Sequence, residues 1–330
     1  MLEHGGRLRV AAQHYAIDLA DWLDLSTGIA PYHGALPEIP PAVWNRLPEL
    51  EDGLEAAARD YYGVPRLLPV AGSQAAIQAL PRLRRNAQVG IVSPAYAEHA
   101  EAWRREGHRL LEISEGSVAR ALDRLDVLVV INPNNPTGRR ISPQVLLDWH
   151  ASLAARGGWL VVDEAFIDCT PEESLAAHAH LPGLIVLRSF GKFFGLAGIR
   201  LGFVLAERAL LGKLNELLGP WSISGPARLV ATAALCDTHG LREQRQRLLG
   251  DGLRLAILLS SHGLPPAGGT AMFHLVLHQQ PPLLHDFLAR RGILVRLINN
   301  PPGLRFGLPG DEAGWQRLDA ALRAFALEQP

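Results

Sequence analysis

The stretch SFGKFFGLAGIRLGF, residues 189–203, sets Lys192 and Arg200 eight positions apart in a run that is otherwise apolar or small. The run contains no acid to pair either charge. Two chemistries suit such a pair: a lysine amine condenses with a carbonyl, and a guanidinium holds an anion. The structural alternative is that both side chains snorkel to the surface from a strand and its approach loop. Four more polar segments precede this one, AGSQ (71–74), SPAY (93–96), NPNNPTG (132–138) and DEAF (163–166), and each follows a short apolar run.

Those runs are the elements that must position the chemistry. QVGIVS, HRLLEIS, VLVVIN, GWLVVD and LIVLRS read as strands, separated by helical patterns such as LEAAARDYYG and SPQVLLDWHASLAARGG. SQAAIQALPRL reads as a helix with Ser73 as its N-cap. Near-continuous apolar strands between helices predict a buried, mostly parallel sheet, whose chemistry gathers at the carboxyl ends of the strands. RLGFVLA adds a strand, and the text beyond about residue 206 is mainly helical, with a short strand at AMFHLVLH and a last helix near 312–327. The fold class is therefore α/β: a large lobe with a mostly parallel sheet flanked by helices, then a smaller α+β lobe.

The chain has 330 residues, is 48% hydrophobic and carries a net charge of −1, so it can bury a sizeable core and lacks the basic face of a nucleic-acid binder. Two cysteines in unrelated contexts indicate no disulfide framework and no thiolate metal site. His178 with His180, and His274 with His278, have no carboxylate or third histidine at ligand spacing, so no metal is expected. The opening MLEHGGRLRVAAQHY has no apolar leader segment and no window approaches a membrane span. A cytoplasmic protein without membrane or nucleic-acid partners is the expectation.

In this order the motifs resemble those of the fold-type I enzymes that use pyridoxal 5′-phosphate, in the branch of aspartate and histidinol-phosphate aminotransferases. The resemblance runs from about residue 24 to residue 307. It implies that Lys192 bonds the cofactor aldehyde and later moves a proton, and that Asp163 pairs with the pyridine nitrogen. A carboxylate there keeps that nitrogen protonated, so the ring accepts the electrons of a broken Cα bond. Asn135 matches the donor to the phenolic oxygen and also reaches the substrate. Tyr96 matches the aromatic that stacks on the ring, and Gly72, Ser73, Gln74, Ser189 and Arg200 match the phosphate site. The resemblance further implies an arm over 1–35 that closes on the site, a large lobe over 36–235, a small lobe over 236–330, and a homodimer.

Two positions depart from the pattern. Phe166 stands where many relatives have a tyrosine that bonds the phenolic oxygen, and Leu47 where many have one that reaches the neighbouring subunit's cofactor phosphate. Both weaken the case for an ordinary aminotransferase. The chain ends, EHGGRLRVAAQHY with DWLDLSTGIAPY and GILVRLINNPPGLRFGLPG, resemble the branch that decarboxylates L-threonine O-3-phosphate in cobalamin biosynthesis. That resemblance implies a small phosphorylated amino acid as substrate: Arg305 on its α-carboxylate, Arg296 on a second anion, and His4, Gly5 and Gly28 in the closing segment. Transamination uses the same parts with a different Cα bond aligned, and no motif reveals that angle. Histidinol-phosphate aminotransferase is thus the enzyme alternative, and a ligand-binding or regulatory protein on the same fold the non-enzyme one.

Overall fold

The computed structural model describes residues 5–328. Along the chain the strands are β1 (Leu23–Leu25), β2 (Leu68–Val70), β3 (Gln88–Val92), β4 (Arg109–Ile113), β5 (Val127–Ile131), β6 (Trp159–Asp163), β7 (Leu184–Ser189), β8 (Gly202–Leu205), β9 (Gly268–Thr270), β10 (Phe273–Leu277), β11 (Ile293–Asn299) and β12 (Pro302–Gly307). The residues fall into two compact units. One comprises 33–135 and 140–245; the other takes the described residues up to Tyr32, Pro136–Arg139 and those from Gln246 on.

The first unit is built on a seven-stranded sheet of order β2-β8-β7-β6-β5-β3-β4. Only β8 runs against its neighbours, so β2, β3, β5, β6 and β7 all end on the same edge. The five polar segments singled out in the sequence are those five ends. Every residue of β5 and β7 is buried, because helices cover both faces and leave no side for polar residues. Val129, Val161, Ile185 and Val204 share one core with Ile77, Leu80 and Trp103, each large aliphatic contributing about 1.5–3 kcal/mol of burial. The strand order reverses between β3 and β5, where an open α/β sheet leaves a crevice.

The helix expected at SQAAIQALPRL begins one residue differently. Ser73 is its first residue, Ser73–Ala79 is helical, and the preceding Gly72 takes a left-handed φ of 73°. Pro81 then tightens the continuation into a 3-10 turn over Leu80–Leu83.

The second unit holds more sheet than its sequence suggests: five strands in the order β1-β11-β12-β10-β9. The expected strand at AMFHLVLH is β10. GILVRLINNPPGLRFG forms the antiparallel pair β11–β12, and β1 joins β11 in parallel. Helices Pro281–Ala289 and Glu312–Glu328 belong to the same unit.

Behind the ends of β6 and β7 lies a buried ionic group. Arg188 Nη1 donates to Glu164 Oε2 at 3.1 Å and to Ser174 Oγ at 3.1 Å, and Nη2 donates to Asp168. Tyr61 donates its hydroxyl to Asp168 Oδ1 at 3.0 Å. Burial works against the Arg188 charge, but Asp168 and Glu164 outweigh it and raise its pKa. Burial pushes the Glu164 carboxyl up, opposed by Arg188, Ser174 and the Leu175 amide. Removing one partner strands the others. Arg188→Met is expected to lose about 3–5 kcal/mol of stability, read from a shift of the urea midpoint. A loss below about 1 kcal/mol would mean the carboxylates do not depend on the guanidinium.

Candidate active site

Asp163 closes β6 and is 3% exposed. Its Oδ1 accepts from the Ala165 amide at 3.1 Å, and its Oδ2 lies 2.9 Å from Nε2 of His99. His99 sits in the helix Ala97–Arg105, three residues after Tyr96, so the two share a face. Their rings meet edge to face with centroids 6.3 Å apart. Sequence reasoning missed His99, and the only available signal was that spacing behind an aromatic at a strand end.

Lys192 lies on the short helix Phe190–Phe193, which starts where β7 stops. Its Nζ is 5.7 Å from the ring centroid of Phe166, a buried side chain three residues past Asp163. Phe190 and Phe194 stack with centroids 3.9 Å apart and brace the turn. The loops after β3 and β5 are tied where Asn134 Nδ2 donates to the Pro94 carbonyl at 2.8 Å. That bond fixes the loops that carry Tyr96 and Asn135.

Arg200 holds a left-handed backbone, φ 54° and ψ 55°, which disfavours a residue with a side chain. Its Nη1 donates to the Ala197 carbonyl at 3.1 Å. A Cβ added to Gly72 would stand 2.7 Å from Arg200 Nη2, so the guanidinium rests on the Gly72–Ser73 backbone. The next side chain, Gln74, accepts the Tyr96 hydroxyl at 3.3 Å. Gly72, Ser73, Gln74, Tyr96, Asp163, Ser189, Lys192 and Arg200 thus all belong to one unit and to the ends of β2, β3, β6 and β7 or the approach to β8.

Asn135, in the segment after β5, belongs to the same unit, and Gly5, Gly28, Arg296 and Arg305 belong to the other. Arg305 and Arg296 stand directly opposite each other in the β11–β12 pair. Arg305 is 7% exposed, lies 5.0 Å from the Phe273 ring centroid and donates from Nη2 to the Ser26 carbonyl at 2.8 Å. Burial, and then the like charge of Arg296, lower the Arg305 pKa to about 10. Ser26 also organises the N-terminal segment. Its Oγ accepts from the Gly6 amide at 2.8 Å and donates to Asp24 Oδ1 at 2.6 Å. A Cβ at Gly5 would meet the Ser26 carbonyl oxygen at 2.3 Å, so only glycine fits that approach. Gly28 is buried two residues beyond Ser26. His4 lies outside the described residues.

The family described as aminotransferase class I and II matches residues 21–322. The chain belongs to this family. Within it, the chain is 64% identical over 325 residues to threonine-phosphate decarboxylase of Pseudomonas aeruginosa, covering 98% of each. It is 44% identical over 336 residues to threonine-phosphate decarboxylase of a Sinorhizobium species, again covering 98% of each. Among solved structures, histidinol-phosphate aminotransferase from Sinorhizobium meliloti in complex with pyridoxal-5′-phosphate superposes with a TM-score of 0.85. That match is 19% identical and covers 98% of this chain and 96% of the other, so it shows a shared fold.

The residues present fit an aldehyde–phosphate cofactor of this aminotransferase family. A lysine amine lies on the turn after β7, a buried carboxylate ends the next strand, and a guanidinium rests on a glycine turn that a Cβ would fill. Borohydride reduction of the cofactor-loaded protein, followed by peptide mapping, is expected to place the pyridoxyl group on Lys192. A group on any other lysine would contradict the assignment.

Proposed function

We propose that this chain decarboxylates L-threonine O-3-phosphate to (R)-1-amino-2-propanol O-2-phosphate, the aminopropanol unit of cobalamin, with pyridoxal 5′-phosphate as cofactor. The observation that carries the reading is the facing, like-charged pair Arg305–Arg296, in which Arg305 is buried and Arg296 half-buried. Two guanidinium groups placed opposite each other concentrate positive charge, which suits anions bound beside them. A substrate bearing both a carboxylate and a phosphate supplies two. Histidinol phosphate, the amino donor in the aminotransferase alternative, carries its phosphate ester on the carbon that replaces the carboxylate and so supplies only one anionic group. The near full-length likeness to two threonine-phosphate decarboxylases supports the same choice.

When bound, pyridoxal phosphate supplies the sink for the electron pair left as a bond to Cα breaks. The chain's own residues do the rest. Gly72, Ser73, Gln74, Ser189 and Arg200 would hold the cofactor phosphate, and Tyr96 would contribute its ring to the cofactor pocket. Asp163, oriented by His99, keeps a proton on the ring nitrogen. Asn135 donates to the phenolic oxygen without help from position 166, where phenylalanine has no hydroxyl. Arg305 grips the α-carboxylate with its planar fork and Arg296 takes the second anion. The segment with His4, Gly5 and Gly28 covers the substrate and excludes water. After CO₂ leaves, the Lys192 amine delivers a proton to Cα.

The same reading makes the enzyme a cytoplasmic homodimer. Trp44 and Trp221 are 66% and 61% exposed, Leu47 and Leu50 are exposed near Trp44, and a second copy would cover such apolar surface. Cys169 and Cys236 form no disulfide, which suits a reducing compartment, and no described helix is long and apolar enough to cross a membrane.

Arg305→Ala is expected to cut CO₂ release from threonine phosphate at least thirtyfold, from about 2–5 kcal/mol of lost charged hydrogen bonding. The visible absorbance of the bound cofactor should not change. Unphosphorylated threonine should be poorer by about a hundredfold or more, because it lacks one of the two anions that the proposed site binds. Near-normal decarboxylation by Arg305→Ala, or equal rates with threonine, would overturn the substrate assignment.

A further inference from the structure

Glu98 lies between Tyr96 and His99 in the first turn of the Ala97–Arg105 helix. Its side chain crosses to the Ser73–Ala79 helix, where Oε2 accepts from Gln74 Nε2 at 2.9 Å and from Gln78 Nε2 at 3.2 Å. Gln74 and Gln78 are four residues apart on one helical face, so one carboxylate gathers both amides.

This arrangement has a polarity. An ionised carboxylate only accepts hydrogen bonds, whereas a glutamine amide donates at one end and accepts at the other. With its NH₂ group committed to Glu98, Gln74 turns its carbonyl away, and that oxygen accepts the Tyr96 hydroxyl at 3.3 Å. Tyr96 is therefore the donor in that bond. Rotation of the amide would present NH₂ to the phenol instead and remove the acceptor.

We propose that Glu98 is a positioning residue of the cofactor site: it sets the Gln74 amide so that the Tyr96 hydroxyl is held as a donor and the ring keeps one tilt. It also pins the helical turn on which His99 reaches Asp163. Tyr96 then depends on Glu98 through Gln74, and the His99 contact to Asp163 depends on it through the helical turn. Burial first, then the charges of Glu98 and Asp163, push the Tyr96 phenol up to about 12 against the opposing Arg200. The donor is thus kept protonated across the neutral range. The inference rests on the reading of Tyr96 as the ring that lies against the cofactor.

Two readouts on purified full-length protein test it: the dissociation constant of pyridoxal phosphate, and the visible circular dichroism induced in the bound cofactor, which reports ring tilt. Glu98→Ala is expected to keep its urea midpoint, to bind cofactor about three- to tenfold more weakly, and to lose much of the induced signal. Glu98→Gln should recover both, since its carbonyl still accepts from Gln74. Tyr96→Phe should match Glu98→Ala, and the double variant should be no worse than either. Wild-type affinity and dichroism in Glu98→Ala, with both impaired in Tyr96→Ala, would overturn the role of Glu98 alone. Fully additive losses in the double variant would also overturn it. If Tyr96→Ala changes neither readout, the underlying assignment of Tyr96 fails and the proposal falls with it.

Discussion

Asp163 is a carboxylate 3% exposed at the end of a strand whose other residues are apolar. Taking such a charge out of water costs several kcal/mol unless partners replace the lost hydration. The Ala165 amide and the His99 imidazole replace part of it, and each comes from a different part of the sheet edge. His99 reaches Asp163 only because the Ala97–Arg105 helix starts at the end of β3, on the far side of β5 from β6. The carboxylate thus requires the strand order, and the strand order requires strands apolar enough to be covered on both faces. The catalytic proposal depends on that chain of constraints more than on any single motif.

The sheet edge carries two polar systems with different tasks. Arg188 and Ser189 are consecutive in β7, so they point to opposite faces. Arg188 closes the buried group with Glu164 and Asp168, whereas Ser189 is grouped with Lys192 and Arg200 in the cofactor proposal. Asp163 and Glu164 divide in the same way. Each of the two strand ends therefore offers one residue for stability and its neighbour for chemistry. An error in the first group would shift the second, because the two groups share a backbone.

The large sheet was legible in the sequence because β5, β6 and β7 are unbroken apolar runs that stop at polar segments. The second sheet was legible only at β10. β1 and β9 are three residues long, too short for a pattern, and arginines at 296 and 305 interrupt the apolar text of β11 and β12. Lys192, Asp163 and Asn135 were visible as motif residues. His99 was not, since a single histidine on a helix has no pattern until the fold sets it against a carboxylate 64 residues later. The same holds for Ser26, which meets Arg305 across 279 residues. Gly72 was singled out as a helix-start glycine, but not as the residue on which the Arg200 guanidinium rests.

Decarboxylation replaces the bond from Cα to the carboxylate carbon with one bond from Cα to hydrogen, releases CO₂ and leaves the amine on the product. Transamination instead moves the amine to a keto acid. Incubation of the cofactor-loaded enzyme with threonine phosphate and 2-oxoglutarate in D₂O separates the two by mass spectrometry and NMR. The residues described here predict aminopropanol phosphate carrying one non-exchangeable deuterium on the amine-bearing carbon, an equivalent of CO₂, and no glutamate. Glutamate in step with substrate loss, with the carboxylate retained, would contradict the proposed reaction.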